Sequence, residues 1–133
     1  MKYWALVPAR GGSKGIPNKN IKSINGLPLI AHTINCAFST NLFEDVYVST
    51  DSEEIASVAN QFNAKVPFLR NSFDSSDKAH MFGVYKNFLL GMQEKGQKLP
   101  DVLCVLLPTN PLRTKEDIIK VLASYDENPE ITW

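Results

Sequence analysis

A glycine-rich, basic loop leaves the first apolar run of the chain, and it limits what can be built around it. The stretch is Val7-Pro8-Ala9-Arg10-Gly11-Gly12-Ser13-Lys14-Gly15-Ile16-Pro17-Asn18-Lys19-Asn20, and it follows Tyr3-Trp4-Ala5-Leu6-Val7. A short, wholly apolar run bounded by such a loop reads as a strand buried on both faces, the habit of parallel sheets. Glycine lets the backbone come close to a ligand. Successive N–H groups in such a loop can turn inward and form an anion-binding concavity. Arg10 suits a bidentate grip on phosphate, Lys14 suits a mobile point charge, and Lys19 adds a third cation. The reading is a polyphosphate cradle at the carboxyl end of the first strand, where open α/β sheets bind ligands.

The loop is neither a Walker A sequence nor the dinucleotide fingerprint. It has no Gly-Lys-[Ser/Thr], and its glycines lack the G-x-G-x-x-G spacing. A tight connection with no ligand is the simpler alternative, and charge weighs against it. Residues 1–43 carry Lys2, Arg10, Lys14, Lys19 and Lys22 and no acid, a formal +5; the rest of the chain carries −5. A neutral chain with all its early charge of one sign has a local positive field. That field suits a small phosphorylated ligand, whereas zero net charge argues against bulk nucleic-acid binding.

At 133 residues, 44% hydrophobic and 21% charged, residues 1–133 read as one α/β domain with a real core. Cys36 and Cys104 each sit in an apolar run and read as reduced core residues without metal spacing. Lys2 is followed by five apolar residues before Pro8, too few for a cleavable leader. No run approaches the ~20 apolar residues of a membrane span. A cytoplasmic location is the resulting expectation.

Along the chain, Ile21–Gly26 reads as a loop ending in a turn, and Pro28 suits the first turn of a helix. Ile30, Ile34, Ala37 and Phe38 have helical spacing and are expected to face the sheet; His32 lies off that stripe, on the rim. Val46–Ser49 reads as a second strand. After it, Asp51 and Glu54 have capping-box spacing, so Asp51 reads as a helix cap or as a metal or ribose contact. Ile55, Val58, Ala59 and Phe62 form the next helical stripe. Lys65–Leu69 reads as a third strand, at an edge or short because Pro67 cannot donate. The polar segment 71–78 is a candidate lid or base-recognition loop. A helix is expected over about 79–95, with Phe82, Tyr85, Leu89 and Met92 on one face. Val102–Leu107 reads as a central strand that stops at Pro108-Thr109-Asn110-Pro111-Leu112-Arg113-Thr114, where two prolines hold the backbone rigid. Thr114 and Asp117 have N-cap spacing ahead of Ile118, Val121, Leu122 and Tyr125. Ile131–Trp133 reads as the start of another strand.

Four strands alternating with four helices give a three-layer α/β/α arrangement around a mostly parallel, doubly wound sheet. Arg10, Lys14, Asp51, Arg70, Thr109 and Arg113 all fall just after strand ends, which argues for a single site on one edge.

The stretch Pro8–Asn20 closely resembles the nucleotide-binding signature of the acylneuraminate cytidylyltransferases (CMP-sialic acid synthetases). Val48-Ser49-Thr50-Asp51-Ser52, Val66-Pro67-Phe68-Leu69-Arg70 and Pro108–Thr114 are similar to that family in the same order, so the resemblance spans essentially the whole chain. It implies a nucleotide-diphospho-sugar transferase-like fold. It also implies attack of the anomeric hydroxyl of an acidic nine-carbon sugar on the α-phosphate of CTP, giving a CMP-sugar and pyrophosphate. By this resemblance Arg10 and Lys14 are the catalytic pair, and Ala9, Arg10, Gly11, Gly12, Ser13, Lys14, Lys19, Asn20 and Arg70 bind the nucleotide. Thr109, Asn110 and Arg113 line the sugar side. Mg²⁺ (or Mn²⁺) accompanies CTP, and no metal ligand is assigned in this chain.

Three departures qualify the resemblance. Leu107 stands where the family usually has a glutamine against the sugar, and Asn110 stands for a serine. After Asp77 the chain reads Lys78-Ala79-His80-Met81 where a small-hydroxyl run is usual. These changes point to an acidic sugar related to sialic acid. By the same resemblance family chains continue further, with metal-binding aspartates and a dimer-forming segment. The chain therefore reads either as the N-terminal fragment of an enzyme that is homodimeric at full length or as a truncated relative, with nucleotide binding expected to survive alone and catalysis not. A nucleotidylyltransferase for another base or sugar, and a nucleotide-binding module without catalysis, remain the alternative readings.

Overall fold

The structure, a computed structural model, describes residues 2–11, 19–70, 81–109 and 113–127. The strands are β1 Tyr3–Pro8, β2 Ser23–Ile24, β3 Leu27–Pro28, β4 Asp45–Ser49 and β5 Val102–Val105. The helices are α1 Leu29–Ser39, α2 Glu53–Gln61, α3 Met81–Glu94 and α4 Lys115–Glu127, with a 3₁₀ turn at Lys19–Ile21.

The first apolar run becomes the middle of a parallel sheet, with β4 on one side and β5 on the other. Registers run from Trp4 opposite Asp45 to Pro8 opposite Ser49, and from Tyr3 opposite Val102 to Leu6 opposite Val105. Alternation along β1 then sorts its side chains. Ala5, Val7 and Ala9 pack with Ile30 and Ile34 of α1, Ile55 and Ala59 of α2, and Ile118 and Leu122 of α4. Trp4 and Leu6 point the other way, to Tyr47 and to Phe88 and Met92 of α3. Helices thus cover both faces, the three-layer α/β/α fold expected from the alternation of strand and helix signals.

The α3 side is held by aromatic rings. Trp4 meets Tyr47 edge-on at 4.8 Å between centroids, Tyr47 meets Phe88 at 5.4 Å, and Phe68 stacks on Phe88 at 5.9 Å. Such pairs contribute roughly 0.5–1.5 kcal/mol each beyond the area they bury. Phe68 reaches this cluster because Gly91 leaves a notch in α3: a Cβ there would lie 2.5 Å from the Phe68 ring.

Several expectations need correction. Lys65–Leu69 is at the sheet edge beside β4, but it pairs only through a single bridge between Tyr47 and Lys65. Pro67 withholds a donor, and the ring of Phe68 turns inward instead. Ile21–Gly26 is more than a loop. Asn25 and Gly26 both have positive φ, at 50° and 85°, and close a β2–β3 hairpin, as an Asn-Gly turn should. Phe38 is 41% exposed, while Ile30, Ile34 and Ala37 are buried. The α3 core face centres on Val84, Phe88 and Met92, with Tyr85 and Leu89 at its flank. The Phe82 side chain, the 71–78 loop and the Ile131–Trp133 strand lie outside the described residues.

Candidate functional site

All three parallel strands end on the same edge, and the backbone beyond them is tied together. Ala9 N–H donates to the Ser49 carbonyl at 2.9 Å, extending the β1–β4 ladder past β1. Leu106 N–H donates to the Leu6 carbonyl at 2.9 Å on the other side. Arg70 N–H donates to the Thr50 carbonyl at 2.8 Å, which brings Arg70 beside the end of β4. Arg10, Asp51, Arg70 and Thr109 therefore share one edge of the sheet, as their places after strand ends implied.

Around Arg10 the polar contacts are specific. Asn20, 4% exposed, donates its Nδ2 to the Arg10 carbonyl at 3.0 Å. Gly11 N–H donates to Asp51 Oδ1 at 2.8 Å. A Cβ on Gly11 would sit 3.0 Å from Ser52 Cβ, a tight contact that a larger residue could make only if Ser52 gave way. Ser52, and not Asp51, caps α2: its Oγ accepts from Ile55 N–H at 3.2 Å. The capping-box spacing of Asp51 and Glu54 misplaces the cap by one residue. Thr50, fully buried, uses its Oγ1 to accept from Ser52 N–H at 3.1 Å.

On the β5 side, Leu107 and Thr109 are exposed and Pro108 is buried. Arg113 donates from Nη2 to the Leu107 carbonyl at 3.0 Å, and its own carbonyl accepts from Cys36 Sγ at 3.3 Å. Its guanidinium thus braces the loop that carries Thr109. His32 contacts the Ile24 carbonyl through Nε2 at 2.6 Å and holds the hairpin. Lys19 starts the 3₁₀ turn that presents Asn20. Gly12, Ser13, Lys14 and Asn110 lie outside the described residues.

Among the described residues no group of three or more His, Cys, Asp or Glu could hold a metal ion. Burial pushes the Cys104 thiol up to about 11, and it raises Cys36 as well. Neither thiol is primed as a nucleophile. A groove of about 620 Å³ runs between Glu53, Asn60 and Gln61 of α2 and Val66, Phe68 and Leu69; none of Arg10, Gly11, Asp51 or Thr109 lines it.

The model of the cytidylyltransferase family matches residues 4–133. The chain belongs to the cytidylyltransferase family. It is 42% identical over 128 residues to the pseudaminic acid cytidylyltransferase of Campylobacter jejuni subsp. jejuni serotype O:2, covering 96% of this chain and 55% of that protein. It is 41% identical over 118 residues to the CMP-N,N'-diacetyllegionaminic acid synthase of Legionella pneumophila, covering 89% of this chain and 50% of that one. The chain of this family member therefore spans about half the length of the relatives it matches. A solved CMP:2-keto-3-deoxy-manno-octonic acid synthetase complexed with CTP shares the fold at a TM-score of 0.78 and 21% identity, over 98% of this chain and 50% of that one.

Proposed function

We propose that this cytidylyltransferase-family chain forms the CTP-binding part of an enzyme that activates an acidic, nonulosonic sugar to its CMP derivative with release of pyrophosphate. One observation carries the reading. The glycine loop leaves β1 on the same edge where Asp51, Arg70 and Thr109 leave their own elements. Phosphoryl chemistry of this kind asks the protein mainly for positioning and charge neutralisation, and Arg10 and Lys14 are the groups placed in sequence to supply them. By the family resemblance, Ala9, Gly11, Gly12, Ser13 and Lys19 are assigned with Arg10 and Lys14 to the nucleotide's phosphates, Asn20 and Arg70 to its nucleoside, and Thr109, Asn110 and Arg113 to the sugar.

Mg²⁺ (or Mn²⁺) would arrive with the triphosphate and be held chiefly by its phosphates; among the described residues no cluster of carboxylates is grouped to hold it. Leu107, which by the resemblance takes the place of a glutamine usual against the sugar, is 45% exposed, and two relatives act on pseudaminic and legionaminic acids by name. Both support an acidic sugar related to sialic acid. Free Cys36 and Cys104 support a reducing, cytoplasmic setting, and the family resemblance supports a homodimer. No described helix is long and apolar enough to cross a membrane.

Pyrophosphate release by the longer enzyme that carries this chain, measured with CTP and a panel of nonulosonic acids, tests the reading. Release that requires both CTP and an acidic nine-carbon sugar is expected. Tight CTP binding with no release from any sugar would leave a nucleotide-binding module instead.

A further inference from the structure

One peptide group on the strand edge is held at both of its polar ends. The Arg10 carbonyl and the Gly11 N–H belong to the same peptide unit. The carbonyl accepts from Asn20 Nδ2 at 3.0 Å, and the N–H donates to Asp51 Oδ1 at 2.8 Å. In a trans peptide these groups point in opposite directions. A grip from each side fixes the rotation of the plane, and with it the ψ of Arg10 and the φ of Gly11. Those two angles decide where the Arg10 side chain sits and in which direction the loop departs. Ser52 closes the remaining side, 3.0 Å from where a Gly11 Cβ would be.

Asp51 is an odd choice for this place unless the grip matters. A carboxylate beside a polyphosphate site repels the ligand. The ordinary excuse, helix capping, belongs to Ser52. The hydrogen bond from Gly11 also removes that N–H from the donors available to a phosphate.

We propose that Asp51 is a positioning residue: acting through Gly11 N–H and opposed by Asn20, it locks the Arg10–Gly11 peptide so that Arg10 is presented ready-made to the nucleotide phosphates. This rests on the reading of the edge as the CTP site, so the test has one arm that needs no nucleotide.

In that arm, amide hydrogen exchange of Gly11 is followed by NMR in the ligand-free protein. Protection in the wild type is expected, falling on the order of 10- to 100-fold in Asp51→Ala, the effect of a lost charge-assisted bond. Asp51→Asn keeps an acceptor oxygen and should retain most of the protection. Exchange of wild-type Gly11 at the rate of an unstructured peptide overturns the proposal with no variant needed. In the second arm, CTP affinity should fall about tenfold or more in Asp51→Ala and only a few-fold in Asp51→Asn. Equal losses in both variants, with Gly11 still protected in Asp51→Asn, would mean that the carboxylate acts by charge on the ligand, and the positioning role would be wrong. Absence of CTP binding by the wild type would sink the nucleotide reading alone, and Gly11 exchange would still decide the clamp.

Discussion

Gly11 has little room and two tasks: its N–H meets a carboxylate, and its missing side chain lets the chain pass α2. Gly11→Ala should push against Ser52 Cβ, which is anchored by the helix it caps. Overpacking of this kind costs about 1–3 kcal/mol. Part of that cost is expected in CTP affinity, so parallel measurement of thermal stability and CTP affinity checks it. Arg10→Ala should cost about 2–3 kcal/mol of CTP affinity, the size of a lost charge-assisted contact; unchanged titration curves would remove Arg10 from the site. At this scale the sequence told part of the story. Arg10, Asp51, Arg70 and Thr109 were legible because each follows an apolar run. The Asp51–Gly11 bond was not, because it joins residues 40 positions apart and depends on the β1–β4 register. Asn20, read as a nucleoside contact, is buried and bonded to the Arg10 carbonyl. Its amide keeps further donor and acceptor positions.

Helix α4 begins as its sequence prescribes. Thr114 N–H donates to Asp117 Oδ2 at 2.9 Å and Asp117 N–H donates to Thr114 Oγ1 at 3.2 Å, a reciprocal cap. The backbone bond from Thr114, with its side chain second, holds the Asp117 carboxyl below its ordinary 3.8. A lowered carboxyl stabilises the fold above its unfolded value and loses that contribution as pH falls through the folded one. The stability difference between wild type and Asp117→Ala should therefore be largest near neutral pH and shrink in strong acid. Urea titrations under the two conditions check this. Helix α3 makes a different demand. Gly91→Val should expel Phe68 from its notch and loosen the segment that delivers Arg70, lowering stability by about 1–3 kcal/mol. The stripes of α2 and α4 and the cap of α4 were legible because local spacing creates them, while the α2 cap falls on Ser52, one residue past the Asp51 that the spacing indicates. The edge position of the 65–69 segment was legible from Pro67, but its reduction to a single bridge was not, since β-branched and aromatic content says nothing of the Phe68 ring turning inward onto α3. The β2–β3 hairpin was overlooked despite its Asn25-Gly26 turn, because its strands are only two residues each.

The whole molecule puts its charge and its strand ends in the same place. A central β1 with neighbours on both sides makes its carboxyl end the middle of the edge, and the basic loop starts there. The fold was readable because buried parallel strands are nearly pure apolar runs and each is followed by an amphipathic helix. Sugar choice was less readable, because it depends on side chains around Leu107 and Thr109 that several separate elements bring together. The two thiols fit the same picture of a closed core: Cys36 and Cys104 should label slowly with a thiol reagent at neutral pH and rapidly after denaturation.

The most direct test of the central claim is calorimetric titration of the chain with CTP and Mg²⁺, with UTP and GTP under the same conditions. Saturable binding at one site is expected, with CTP favoured at least about tenfold, a difference of ~1.4 kcal/mol. Equal affinity for all three nucleotides, or heat with none of them, would contradict a cytidine-nucleotide site on the carboxyl edge of this sheet.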